Sequence, residues 1–204
     1  MREARRPRTR RVAKLAKIEK AVHSILEAIG EDPDREGIRD TPHRVAQLYQ
    51  RIFGGIGQDP TRDLRLYRVS NQDGMILLRN ISFHSMCEHH LLPFFGKIHL
   101  AYLPSKNLVT GLSSLTKAVE VLSQKPQLQE RLANEIADTL MKAIRPKGLL
   151  VVVEAEHLCM AMNDAQRLGT STISTAARGA MLEEPARAEA FSLINRQTRT
   201  RTRK

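Results

Sequence analysis

The only two cysteines of this chain stand far apart in the sequence, and each is flanked by histidine. Cys87 opens the run Cys87-Glu88-His89-His90, and Cys159 closes His157-Leu158-Cys159. Thiolates and imidazoles are the donors that Zn²⁺ selects, and a catalytic zinc typically takes three protein ligands and leaves one position for water. Ligands drawn from two distant segments can meet only through long-range folding, unlike those of a local zinc finger. A shared zinc site would therefore require a fold that brings the region around residue 88 against the region around residue 158. The alternatives are two ordinary buried thiols or a single disulfide. No signal-peptide pattern is visible, which sets the expectation of a cytoplasmic protein, where disulfides are rare.

Local patterns predict how each segment presents its donors. Leu149-Leu150-Val151-Val152-Val153 is a short apolar, β-branched run, and Glu154 to Met160 continues it with alternation. That is a strand signal, which places His157 and Cys159 at i and i+2 on one face. Cys87 and His90, three apart, suit a tight turn or the first turn of a helix, and Leu91-Leu92-Pro93 limits how far a helix can run.

Composition narrows the function classes. The 204 residues, 41% of them hydrophobic, suffice for one catalytic domain with a helical appendage. No apolar run approaches the ~20 residues of a membrane span. An aromatic fraction of 4% without tryptophan argues against a stacking surface for single-stranded nucleic acid. The net charge of +11 is confined to the ends: residues 1–20 carry +7 and residues 196–204 carry +5, which leaves the body at −1. Such blocks read as solvated, disordered tails, and the body lacks the basic residues that a nucleic-acid partner requires.

The periodicity predicts an amphipathic helix through Val12, Leu15, Ile18, Val22 and Ile25 to Gly30. A second follows from an N-cap at Thr41 with Pro42 behind it, its stripe formed by Val45, Leu48, Tyr49 and Ile52. Residues 60–75 read as loop. Strands are expected at 75–83 and 96–103, a helix at 114–124, a longer helix from Pro126 to 144, a strand at 172–181 and a last helix from Pro185. In the long helix the apolar stripe is Leu128, Leu132, Ile136, Leu140 and Ile144, with Gln129 and Glu130 away from its centre. With no βαβ repeat, the pattern is antiparallel α+β.

Taken together, Ser85-Met86-Cys87-Glu88-His89-His90-Leu91-Leu92-Pro93-Phe94-Phe95-Gly96-Lys97, Gly111-Leu112-Ser113, Gln127 to Leu132, and Val153 to Met160 resemble the signatures of GTP cyclohydrolase I. Asp40-Thr41-Pro42-His43-Arg44-Val45-Ala46 is similar to that family's N-terminal helical part, and the likeness runs collinearly from about residue 15 to 195. The resemblance implies a T-fold, an antiparallel sheet with two helices on one face and an N-terminal helical extension. In that fold subunits join their sheets into a barrel, here a homodecamer. The implied domains are a basic tail at 1–11, a helical region at 12–66, the catalytic domain at 67–195 and a second tail at 196–204. The implied chemistry is hydrolytic opening of the imidazole ring of GTP, loss of C8 as formate and rearrangement to 7,8-dihydroneopterin triphosphate, a step of pterin and tetrahydrofolate biosynthesis. By position, Cys87, His90 and Cys159 match the zinc ligands, and His89 and His157 the acid–base histidines. Glu130 matches the carboxylate that grips the guanine edge, with Gln129 beside it. Arg44 matches a phosphate-binding position, and Ser113, Lys117 and Gln129 are further expected substrate contacts.

The likeness is incomplete at the phosphate end. Where the family pattern has Lys after Gly-Leu-Ser and Arg three residues later, this chain has Ser114 and Lys117. Four residues past the second zinc cysteine, Asn163-Asp164 replaces Arg-Gly. Arg167 is the expected compensating cation. Each lost charged contact to phosphate is worth about 1.5–3 kcal/mol. That leaves two alternatives open: a paralogue acting on a less phosphorylated or modified guanine compound, or a non-catalytic T-fold module that binds a purine or pterin.

Overall fold

In the computed structural model of the chain the described residues are 8–72, 74–163 and 169–196. They fall into two compact units, divided between Gly54 and Gly55. The first is a helix pair, α1 (Arg8–Ala28) and α2 (Thr41–Ile52). After α1 the chain turns at Gly30, whose φ of +86° lies in the left-handed region that glycine adopts without strain. The predicted N-cap shifts by one residue: Thr41 is already helical, Asp40 is the cap and makes no side-chain capping bond, and Pro42 sits in the first turn. His43 Nδ1 meets Glu19 Oε1 at 2.8 Å across the pair. Ala46 is the fully buried residue of α2, whereas Leu48, expected in the stripe, is largely exposed.

The second unit is built on a five-stranded sheet, ordered β5-β2-β3-β6-β7, of β2 (Ile76–Cys87), β3 (Pro93–Leu103), β5 (Pro126–Gln127), β6 (Gly148–His157) and β7 (Ser171–Gly179). All its neighbours are antiparallel except β5, which pairs parallel with the end of β2 at Met86 and Cys87. A small ribbon, β1 (Leu66–Arg68) with β4 (Leu108–Thr110), occupies part of the segment expected to be loop. Helices α3 (Leu112–Ser123) and α4 (Gln129–Ile144) follow β4 and β5. A short α5 (Leu158–Asn163) follows β6, and α6 (Glu184–Asn195) closes the described chain.

The apolar run of β6 is continuous because both faces of the sheet are covered there. Leu149, Val151 and Val153 join Leu115, Val119, Leu132, Ile136 and Leu140 of α3 and α4 in the main core. Leu150 and Val152 face the other way and pack with Met181, Ala190 and Ile194. Burying such a side chain is worth roughly 1.5–3 kcal/mol, so β6 is anchored from both faces of the sheet. Two helices on one face of an antiparallel sheet were expected, and the α+β class is as read from the sequence.

Three boundaries differ in ways that matter to the site. β2 and β3 run further than their predicted 83 and 96 limits, up to Cys87 and from Pro93, because the hairpin ladder continues through Met86↔Pro93. Pro126 does not begin a helix: with Gln127 it forms β5, and α4 starts at Gln129. Cys159 is not on the strand but in α5, which begins at the residue after His157.

Candidate metal centre and active site

The turn between β2 and β3 carries the first cluster. Cys87 N–H donates to Leu92 O at 2.8 Å and Leu91 N–H donates to Cys87 O at 2.8 Å, closing the turn, with Leu91 at φ +52°. This closure folds His90 back towards Cys87, and Nδ1 lies 3.8 Å from Sγ. β6 lies beside β3, so the end of β6 arrives next to the turn, and the switch from strand to α5 swings Cys159 inwards. The donor atoms of Cys87, His90 and Cys159 all lie within 4.8 Å of one another. Both cysteines are buried and neither is in a disulfide, and His90 is exposed.

The donor set fits zinc. A tetrahedral ion with Zn–S near 2.3 Å and Zn–N near 2.0–2.1 Å needs donors ~3.5–3.8 Å apart, a spacing the Cys87–His90 pair already has. Burial, then the neighbouring Cys87 sulfur, push the Cys159 thiol above its ordinary range. Burial that disfavours the Cys159 thiolate is what a divalent cation reverses, because a coordinating thiol is deprotonated outright.

Around this cluster the second histidine pair separates into two environments. His89 is exposed beside His90, ring centroids 6.2 Å apart. His157 is enclosed. It stacks on its cross-strand partner Phe94 with centroids 4.8 Å apart and planes 4° from parallel, and Nε2 lies 2.7 Å from Gln129 Oε1. Burial pushes the His157 imidazole below its ordinary value, partly opposed by the charge of Glu130.

The first turn of α4 reaches the same place. Gln129, expected away from the apolar stripe, is 1% exposed, because its amide finds main-chain partners inside the sheet. Glu130 is exposed, as a carboxylate available to a ligand must be. Arg131 grips Glu88 of the Cys87–His90 turn through two hydrogen bonds, one of them Nη2 to Oε1 at 2.9 Å, and the guanidinium holds the Glu88 carboxyl below its usual range. This pair ties the turn to α4. Glu88 and Arg131 stood inside the motifs without a role, and only the fold pairs them. Phe94 was likewise unassigned, since its contact with His157 depends on the β3–β6 register.

The remaining expected residues lie elsewhere. Ser113 and Lys117 on α3 line a cavity of about 380 Å³ against β2, with Ser82, His84 and Glu120, and no member of the Cys/His cluster lines it. Lys117 Nζ is engaged by Glu120 Oε2 at 2.7 Å. Arg44 belongs to the helix pair, exposed and 3.4 Å from Asp40. Arg167 and Asp164 fall outside the described residues.

An α+β domain that assembles two thiols and an imidazole, with two further imidazoles and a carboxylate around them, defines a zinc-type metalloenzyme. The sequence profile of GTP cyclohydrolase I matches residues 18–195. The chain is 53% identical over 183 residues to GTP cyclohydrolase 1 of Carboxydothermus hydrogenoformans, covering 89% of this chain and 95% of that protein. It is 52% identical over 180 residues to the same-named protein of Thermoanaerobacter pseudethanolicus, covering 88% and 96%. With that of Streptococcus pyogenes serotype M5 it shares 51% over 183 residues, covering 90% and 93%. This chain belongs to the GTP cyclohydrolase I family. Among solved structures, the apo form of an archaeosine synthase QueF-Like superposes with TM-score 0.41 at 18% identity, over 54% of this chain and 97% of that one.

Proposed function

We propose that this protein is a zinc-dependent GTP cyclohydrolase, which opens the imidazole ring of GTP, releases C8 as formate and yields 7,8-dihydroneopterin triphosphate. The observation that carries the reading is the convergence of the Cys87–His90–Cys159 cluster, His157 and the first turn of α4 in a chain of this family. Cys87, His90 and Cys159 would hold the metal, which when bound supplies Lewis acidity and makes water a nucleophile at neutral pH. His89 and His157 move protons to and from the purine nitrogens and the ribose oxygen, as ring opening and rearrangement require. The exposed carboxylate of Glu130 accepts hydrogen bonds from N1–H and the exocyclic amine of guanine, an edge that adenine does not offer. Ser113, Lys117, Arg44 and Arg167 are the candidates for the triphosphate.

The assembly we propose is a homodecamer in which sheets join edge to edge. Among the described residues the outer edge of β2 is paired only at Met86 and Cys87, and β7 is the last strand on the other side, so both edges are open to a second copy. Among the described residues no helix is long and apolar enough to cross a membrane. A cytoplasmic location agrees with two metal-competent thiols that form no disulfide.

One observation favours a second reading, a guanine substrate with fewer phosphates: Lys117 is already committed to Glu120, and Ser114 and Asn163 carry no charge. A panel of GTP, GDP, GMP and guanosine, read for formate release and pterin fluorescence with zinc-loaded protein, tests both. Formate from GTP in preference to GMP is expected. Formate from guanosine or GMP alone would establish the second reading, and formate from none would leave a binding module.

A further inference from the structure

We infer that Gln129 is a positioning residue that fixes the tautomer of His157, so that Nδ1 of this histidine exchanges protons with substrate while Nε2 keeps its hydrogen throughout. The inference rests on the reading of His157 as a proton-transfer group.

The argument is one of donors and acceptors. Gln129 Nε2 lies 3.0 Å from Val153 O and 2.9 Å from Thr172 O. Carbonyl oxygens only accept, so both of these contacts require the amide nitrogen, and the orientation of the amide is fixed by its surroundings. Its oxygen is then the atom that faces His157, 2.7 Å from Nε2. An amide oxygen also only accepts, so Nε2 must donate. A neutral imidazole carries one N–H, and that leaves the lone pair on Nδ1.

Nothing in this arrangement is loose. The two carbonyls belong to β6 and β7, so the amide is anchored on adjacent strands. Phe94 stacked 4° from parallel fixes the ring plane, and the hydrogen bond fixes the rotation within it. Gln129 is 1% exposed, so its side chain is spent inside the protein and has no amide group left over for a substrate. An amide oxygen is too weak a base to accept the Nε2 proton, so no relay runs through Gln129. The proton that arrives on Nδ1, making an imidazolium, leaves again from Nδ1.

The test combines kinetics with the nitrogen spectrum of the imidazole. In zinc-loaded, ¹⁵N-histidine-labelled protein, solid-state NMR distinguishes protonated from bare ring nitrogens, and a His157→Ala sample identifies the signal. The wild-type spectrum is expected to show His157 with Nε2 protonated and Nδ1 bare. Gln129→Leu removes the acceptor and is expected to lower kcat for GTP about 10²-fold with KM within about twofold, zinc content unchanged and Nδ1–H signal appearing. A wild-type spectrum with Nδ1–H overturns the inference even if Gln129→Leu fails to assemble. So does a Gln129→Leu enzyme with raised KM and full kcat, which would make Gln129 a guanine contact. Full kcat in His157→Ala overturns instead the underlying reading of His157, and with it this role for Gln129.

Discussion

Gly96 of β3 lies opposite Ala155 of β6 beside the site, and replacing it by alanine probes how much of the activity depends on the spacing of these strands. A Cβ at this position would meet Glu154 O at 1.9 Å and Ala155 Cα at 2.8 Å, both main-chain atoms of β6. A flexible side chain could move aside, but a buried ladder cannot. Ordinary contact begins at 3.4 Å, so the strands must part by about 1.5 Å, which stretches the flanking ladder bonds beyond hydrogen-bonding distance. Two buried main-chain groups left unsatisfied at about 1–3 kcal/mol each give a loss of ~2–4 kcal/mol after partial relaxation. For a chain of this size that corresponds to a fall in Tm of roughly 5–15 °C.

The same displacement reaches the chemistry. Phe94 pairs with His157 two positions along the ladder from Gly96↔Ala155. Parting the strands there leaves the imidazole with its Phe94 stack or its Gln129 hydrogen bond, but not both. A misplacement of about 1 Å costs on the order of 10² in rate. Gly96→Ala is therefore expected to melt earlier and to lose turnover out of proportion to its zinc content, measured by thermal denaturation, metal analysis and formate release. A variant that melts within about 2 °C of the parent and keeps full kcat would show that the two strands have slack, and the reasoning would be wrong.

Three further outcomes are expected. Cys159→Ala should release the metal, from about one zinc per subunit to none by metal analysis, and full occupancy in that variant would mean a different ligand set. His99 is 5% exposed; burial pushes its imidazole down against the pull of Glu154, 3.8 Å from Nε2, and Arg79 pushes it down further. The folded state therefore binds fewer protons than the unfolded chain, and stability falls as pH drops through about 6.5. The denaturation midpoint should thus fall less between about pH 7.5 and pH 5.5 in His99→Gln than in the parent, and equal falls would clear His99. Ser114→Lys combined with Asn163→Arg should raise kcat/KM for GTP relative to GMP by about tenfold, through charge-assisted contacts to phosphate; no gain would place the phosphate grip on other residues.

What the sequence revealed followed from how local each signal is. The metal-competent residues were legible because two thiols and their neighbouring imidazoles are chemically distinctive at any distance. The helices were legible from periodicity, and β6 from its β-branched run. What the sequence could not carry was register. The stacking of Phe94 on His157, the Glu88–Arg131 pair and the burial of Gln129 depend on which residues the β3–β6 ladder and the start of α4 bring opposite one another. Cys159 was misplaced onto a strand because alternation from Glu154 to Met160 continues past the point where the chain turns into α5. Pro126 was misread for a similar reason: a proline before an amphipathic stretch signals a helix start, but a two-residue pairing with β2 comes first. Gln129 misled because a polar residue beside an apolar stripe is normally solvated, and here two strand carbonyls and an imidazole satisfy its amide.

These placements also explain why the chain can depart from its family at one end of the substrate while keeping the other end intact. The metal cluster and His157 are anchored by the sheet: Cys87 and His157 end strands, Gln129 is bonded into β6 and β7, and Arg131 holds the Cys87–His90 turn to α4. Ligation and proton transfer demand placement to within a fraction of an ångström, and a ladder provides it. The assigned phosphate contacts are different in kind. Ser113 and Lys117 are exposed on α3, and Arg44 belongs to the helix pair. Attraction between a cation and a triphosphate falls off only gradually with distance, so a shifted or substituted cation weakens binding by degrees. Ser114 is not among the core residues, so an uncharged side chain there leaves the packing of α3 against the sheet intact. On the proposed assignments its effect falls on how tightly the phosphates are held, which is what the GTP-to-GMP ratio of the double variant reads.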